Sequence, residues 1–277
     1  MNTANKQSPS ISDIFFEYAA AFMVVIARDG SIIKCNPSFT NWLHKSVIDT
    51  HFPKSVVRGL IREQDKNANH FHTFYDDKLN RLTCWKVAKN DGDELFITGA
   101  DITVRAQRER NLREEANSDA LTKIMNRRGF LTVLRAALNN KANYSLIAFD
   151  LDGFKSVNDT MGHSAGDEIL TEVAKRVKEC TRNGDWVARM GGDEFAILLH
   201  DNHSNDILVE RLLSKLNEPY VCKGEMVDYI SASIGKLDFN TSELGTIEAS
   251  TLLNISDELM YQSKKQGKNR WSQRTLI

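Results

Sequence analysis

"ARMGGDEFAILL", residues 188–199, decides how the second half of this chain is read. Two glycines, Gly191 and Gly192, run straight into two carboxylates, Asp193 and Glu194, between two apolar, strand-like runs. Glycines in that position predict a hairpin turn. Asn-Gly or Asp-Gly suffices for an ordinary surface turn. Two acids where the apolar run resumes therefore call for partners elsewhere.

The nearest candidates lie upstream. "SLIAFDLDGFKSVND", 145–159, reads as a near-continuous apolar strand ending in Asp150 and Asp152, with a loop starting at Gly153. Side chains alternate along a strand, so Asp150 and Asp152 share a face and Leu151 points away. If the hairpin lies beside this strand, Asp193 approaches Asp150 at one end of the sheet. Like charges held close repel, and a cation relieves them. Hard oxygen ligands without His or Cys fit Mg²⁺, which keeps waters and substrate phosphates in its shell. Taken singly, each acid also reads as a turn or cap residue, and a GGDE turn alone as a tight hairpin with solvated carboxylates.

Candidate phosphate and base contacts surround these acids. Gly153, Phe154 and Lys155 form a short loop whose backbone N–H groups can face an anion, with the Lys155 charge beside them. Asn158 and Asp167 offer an amide and a carboxylate; guanine presents N1–H and N2–H₂ donors for the carboxylate and acceptors for the amide. Lys264 and Lys268, four apart, are expected on one face of the last helix as a phosphate clamp. The alternatives are helix caps for the first pair and solvated lysines for the others.

Composition bounds the rest. The chain has 277 residues, enough for two ordinary domains, with 41% hydrophobic and 26% charged residues. Lys plus Arg (36) nearly equals Asp plus Glu (37), so bulk charge points to neither nucleic acid nor a membrane surface. Cys35, Cys84, Cys180 and Cys222 show no metal-type spacing and read as reduced thiols of a cytoplasmic protein. "YAAAFMVVIA", 18–27, is too short to span a bilayer as a helix and is expected to be a buried strand; no signal peptide or membrane insertion is expected.

Residues 1–10 are polar and aperiodic, a tail. From residue 11 a short helical pattern leads into a strand pair joined at Arg28-Asp29-Gly30-Ser31, then short helices around Pro37. Three β-like runs follow, "HFHTFYD", "RLTCWKVAK" and "DELFITGADIT", the last two joined at Asn90-Asp91-Gly92-Asp93. This order, with "ARDGSIIKCNPSF" and "ITGADITVRAQRE", resembles a PAS sensor domain over residues 11–104. None of its histidines (His44, His51, His70, His72) reads more readily as a haem ligand than as a solvated or packed side chain, and its ligand is left unknown. Residues 105–117 form a charged helical linker. Ile102, Leu112 and Ala116 fit a heptad seam, but Arg105 and Glu109 share it, so a paired connector and a solvated single helix both stand.

Residues 118–277 then alternate strands and helices around an antiparallel hairpin, an α/β sheet covered by helices. "DALTKIMNRRGF" (119–130), "FDLDGFKSVNDTMGHSAGDEIL" (149–170), "RMGGDEFAILL" (189–199) and "SDELMYQSKKQGKNRW" (256–271) together resemble the GGDEF domain, the diguanylate cyclase family. The resemblance implies an α/β palm like that of nucleotide cyclases, and a nucleotidyltransferase that joins two GTP into cyclic di-GMP with release of two pyrophosphates.

By position it implies that Asp150, the Leu151 carbonyl and Asp193 coordinate two Mg²⁺ (or Mn²⁺) and that Glu194 completes the acidic cluster. Asn158, Asp167 and His163 would line the guanine pocket. Gly153, Phe154, Lys155, Lys264 and Lys268 would hold phosphates, with Lys155 also stabilising the transition state. Each domain holds one GTP, so a homodimer is implied. Arg182 and Asp185 in "RNGD" match the family's RxxD inhibitory site for the product. Lys123 replaces the usual Gly of the early motif, Ile124-Met125 the usual Leu-Pro, and Lys268 the usual Arg. The alternative is a GTP- or cyclic di-GMP-binding module without catalysis. No phosphodiesterase segment is expected after the last motif.

Overall fold

A computed structural model describes residues 11–43, 51–52, 54–64, 71–91, 93–200, 205–245 and 247–276. The expected tail, Gly92, His44 and His70 lie outside them. Contacts divide the chain into two compact units, residues 1–111 and 112–277.

In the first unit, α1 (Ile11–Tyr18) precedes β1 (Phe22–Ala27) and β2 (Ile32–Cys35). Helices α2 (Pro37–Leu43) and α3 (Lys54–Gln64) follow, then β3 (His72–Asp76), β4 (Arg81–Asp91) and β5 (Glu94–Asp101). All pairings are antiparallel, in the order β2-β1-β5-β4-β3. Phe22, Phe39, Trp42, Phe52 and Trp85 interleave in the core, with ring centroids 4.9–6.2 Å apart. Asn36, fully buried, ties the entry of α2 to β1. Its side-chain oxygen accepts from the Met23 and Phe39 N–H groups, and its amide donates to the Ala19 and Ala21 carbonyls.

Helix α4 (Thr103–Asn117) follows β5 and buries none of its residues; Val104 is 73% and Leu112 56% exposed. The second unit continues with β6 (Met125–Asn126), α5 (Arg127–Leu138), β7 (Asn143–Asp152), α6 (Phe154–Met161), α7 (His163–Cys180), β8 (Trp186–Gly191) and β9 (Glu194–His200). It ends with α8 (Asn205–Leu216), β10 (Tyr220–Cys222), β11 (Glu225–Val227), β12 (Ser231–Asn240), α9 (Ala249–Lys265) and β13 (Arg270–Leu276). Its six-stranded sheet runs β13-β12-β7-β9-β8-β6, and β10–β11 form a separate hairpin.

β7 occupies the middle and is covered on both faces, which is why its sequence is apolar without alternation. Ile147, Phe149 and Leu151 join α6, α7 and α8 in one core; Tyr144 and Leu146 join α5 and α9 in the other. Asp150 and Asp152 therefore end the face that α9 covers. At Gly235, α9 lies directly on β12: a Cβ there would sit 2.5 Å from the Met260 nitrogen and closer to the Ser256 oxygen.

The apolar run "MVDYISASIGKL" is divided between two strands, because β11 ends at Val227 and β12 begins at Ser231. The chain does not finish on a helix but adds β13, parallel to β12. No helix among the described residues is long and apolar enough to cross a membrane.

Candidate active site

The β7–β9 register brings the two acid pairs together. Asp150 is the partner of Glu194, so the hairpin tip meets the end of β7. The β8–β9 ladder slips between Arg189 and Gly191, and Gly192 turns the chain at φ +52 with nothing within 4 Å of where a Cβ would lie. Conformation, not crowding, calls for glycine there. Burial pushes the Asp150 carboxyl above its ordinary range; Lys264 pulls it back, and the charges of Asp193 and Asp152 raise it again. Lys264 Nζ lies 2.7 Å from Asp150 Oδ1.

Asp152 does different work. Its buried carboxylate accepts from Ser231 Oγ and Ser233 Oγ, both at 3.0 Å, and from the Asn269 N–H at 3.2 Å. That last bond corrects the placement of Lys268. α9 ends at Lys265, Gly267 reverses the chain at φ +116, and Lys268 follows at φ +60 in the turn before β13. Lys264 and Lys268 therefore do not share a helical face. The turn is instead anchored on Asp152, beside the acidic end of β7.

Gly153, Phe154 and Lys155 are likewise not a loop but the start of α6. Gly153 occupies the N-cap at φ +85 with no side-chain cap; the Ser156 N–H donates to the Gly153 carbonyl at 3.0 Å, which leaves the Phe154 and Lys155 N–H groups for another acceptor. The Tyr229 ring and carbonyl lie against it, 3.4 and 3.2 Å from where a Cβ would be. Lys155 is exposed. Asn158, half-buried, stands in the last turn of α6, and His163 and Asp167, both exposed, in the first turns of α7.

The acid pair fits a divalent ion only in part by itself. Among the described residues no three Asp, Glu, His or Cys side chains gather into a metal-binding group. Asp152 is committed to its own hydrogen bonds, and the Leu151 side chain is buried in the core, so only its carbonyl is a donor candidate. A crowded pair of hard oxygens with an incomplete shell suits an ion that arrives with a nucleotide's phosphates.

The profile of the family described as "Diguanylate cyclase, GGDEF domain" matches residues 116–270, more than half of the chain. The chain belongs to that family. Diguanylate cyclase DosC of Escherichia coli K12 is 36% identical over 166 residues, which take in 57% of this chain and 35% of DosC. The chain thus spans about a third of that relative's length. Diguanylate cyclase DgcM of Escherichia coli O157:H7 is 28% identical over 278 residues, 92% of this chain and 67% of DgcM. Among solved structures, the coiled coil and GGDEF domain of DgcB from Caulobacter crescentus, in complex with c-di-GMP, superposes with a TM-score of 0.56 at 25% identity, covering 62% of this chain and 93% of that one. The second unit therefore has the cyclase-like α+β palm fold.

In this GGDEF domain the early motif is tied to the hairpin tip. Arg189 donates to the Gly192 carbonyl at 2.8 Å and to Asp119 at 3.3 Å. Burial works against the Asp119 carboxylate, but hydrogen bonds from Thr122 and the Arg189 charge hold it below its usual range. Lys123, at the usual glycine position, takes φ +58, the conformation glycine adopts without cost.

Arg182 and Asp185 form a closed turn. The Arg182 N–H donates to Asp185 Oδ2 at 2.8 Å, beside a cleft of about 430 Å³ lined also by Lys123, Lys178 and Trp186.

Sequence reasoning missed three neighbours of the site. Tyr229 carries no motif, and Lys223, whose Nζ caps α6 at the Met161 carbonyl (2.7 Å), sits on a distant hairpin. Asp257 was legible within "SDEL". Although exposed by area, its carboxyl is crowded enough that burial and then Glu194 raise it, against Arg127.

Proposed function

We propose that this chain is a homodimeric diguanylate cyclase that condenses two GTP into cyclic di-GMP and releases two pyrophosphates. The observation that carries the reading is the register of Asp150 against Glu194. It sets Asp150, Asp193 and Glu194 beside the uncapped start of α6 and the Lys264 ammonium.

In each of two bond-forming steps, the 3′-oxygen of one GTP attacks the α-phosphorus of the other; the P–O bond to pyrophosphate breaks and the hydroxyl proton leaves. Asp150, the Leu151 carbonyl and Asp193 would hold Mg²⁺, or Mn²⁺ in its place, which would supply a lowered hydroxyl pKa and charge neutralisation at the leaving group. Asp193 accepts the proton. Glu194 completes the negative site, and Lys155, Lys264 and Lys268 balance phosphate charge with the first N–H groups of α6. Asn158 and Asp167, with His163 at the rim, hold the guanine edge. Catalysis is mainly orientation and charge stabilisation. One domain holds one nucleotide, so two copies must face each other to close the ring.

Residues 11–104 act as a PAS-like sensor that tunes this pairing. Support comes from the order of strand pair, two helices and three antiparallel strands, and from an alignment with DgcM that takes in 92% of this chain. Arg182 and Asp185 bind the product and restrain turnover, supported by their place beside the basic cleft.

Incubation of the purified protein with GTP and Mg²⁺, followed by chromatography and mass spectrometry of the nucleotides, tests the activity. Cyclic di-GMP is expected, and Asp193→Ala is expected to abolish it. A dimer that binds GTP or cyclic di-GMP without turnover, or full activity in Asp193→Ala, overturns the reading in favour of a silent binding module.

A further inference from the structure

We infer that Gly166, on α7, is a positioning residue for guanine selectivity; this rests on the cyclase reading and goes beyond it. Gly166 is buried in the fourth position of α7, where a helix ordinarily favours alanine. Its backbone conformation is helical, so no turn geometry demands glycine. What demands it is the neighbouring helix. A Cβ at 166 would lie 3.1 Å from Asn158 Cγ, closer still to Asn158 Oδ1, and 3.1 Å from Phe154 Cζ. The Asn158 amide thus occupies the space that a side chain at Gly166 would take.

The two neighbours differ in how they can respond to an added methyl group. Phe154 is 7% exposed and wedged among Val157, Ala165 and Ile169 in the core, and close-packed interiors resist displacement. Asn158 is only half-buried and has more room to shift. The methyl group therefore displaces mainly the amide, and the Phe154 ring has to yield by only a few tenths of an ångström. Asp167, the other proposed base-reading group, is the next residue along α7 and keeps its place. Gly166 thereby fixes the separation between the amide on α6 and the carboxylate on α7.

The test compares wild type, Gly166→Ala, Asn158→Ala and the double variant for melting temperature, cyclic di-GMP formation and use of ATP in place of GTP. Gly166→Ala is expected to melt within about 5 °C of wild type, to raise KM for GTP about tenfold with kcat within about threefold, and to narrow the preference for GTP over ATP. In the Asn158→Ala background the same substitution is expected to change KM less than about twofold, because the displaced group is gone. Wild-type KM in Gly166→Ala, an additive penalty in the double variant, or a melting temperature lowered by more than about 5 °C overturns the inference and leaves the cyclase reading standing. Wild-type protein that neither binds nor converts GTP overturns both.

Discussion

Lys123 shows how a single position carries both the family pattern and a local departure from it. Its φ of +58 is a conformation that glycine adopts freely, and an L side chain there is strained. Replacing it by glycine relieves the strain but also loosens the unfolded chain, which offsets part of the gain. Lys123→Gly is expected to stabilise the second unit by about 0.5–1 kcal/mol, read as a higher urea midpoint. A lower midpoint would mean that the lysine side chain itself holds the turn. The departure was legible in the sequence because the motif is short and contiguous. The role of Asp152 was not: its serine partners lie 79 and 81 residues away and its Asn269 partner 117.

At the scale of elements, α7 and the end of α8 are locked by one guanidinium. Arg176 is buried on α7. It donates to the Lys215, Glu218 and Pro219 carbonyls at 3.0, 2.6 and 2.7 Å, and its guanidinium carbon lies 3.9 Å from the Tyr220 ring centroid. Arg176→Ala removes the donor of the Glu218 and Pro219 carbonyls and leaves Lys215 only the Glu218 N–H, and is expected to cost on the order of 3 kcal/mol in denaturant melts. Burial pushes the Tyr220 phenol up to about 12, although Arg176 pulls the other way. Folding thus favours the protonated phenol; that contribution is whole below about pH 10 and is lost as pH rises to about 12. Tyrosinate absorbance is expected to show one late-titrating group that Tyr220→Phe removes. The amphipathic pattern of α7 was readable, but Arg176 looks like any exposed basic residue until α8 is placed beside it.

At the scale of the whole molecule, α4 is left with its apolar residues in solvent. Val104 and Leu112 are exposed and nothing on the helix is buried, although fifteen charged and polar-rich residues need little tertiary support to be helical. With catalysis proposed to need two copies, Leu112→Asp is expected to weaken dimerisation in sedimentation experiments. It is also expected to lower specific activity most at low protein concentration, with GTP affinity unchanged. An unaltered dimer would favour the solvated single helix that the sequence left open.

The sequence by itself determined what lies close along the chain: the apolar run of β7, the hairpin of β8 and β9, and the four contiguous motifs that mark the GGDEF domain. Side-chain alternation put Asp150 and Asp152 on one face, and strand pairing followed from two adjacent apolar runs. Tertiary structure alone decided which of those two carboxylates meets Lys264 and which is absorbed by serines, where α9 stops short of Lys268, and why Gly166 must lack a side chain. Each of these depends on atoms distant in sequence brought within contact range. Propensity and periodicity reach only a few residues along the chain and carry no signal about such partners.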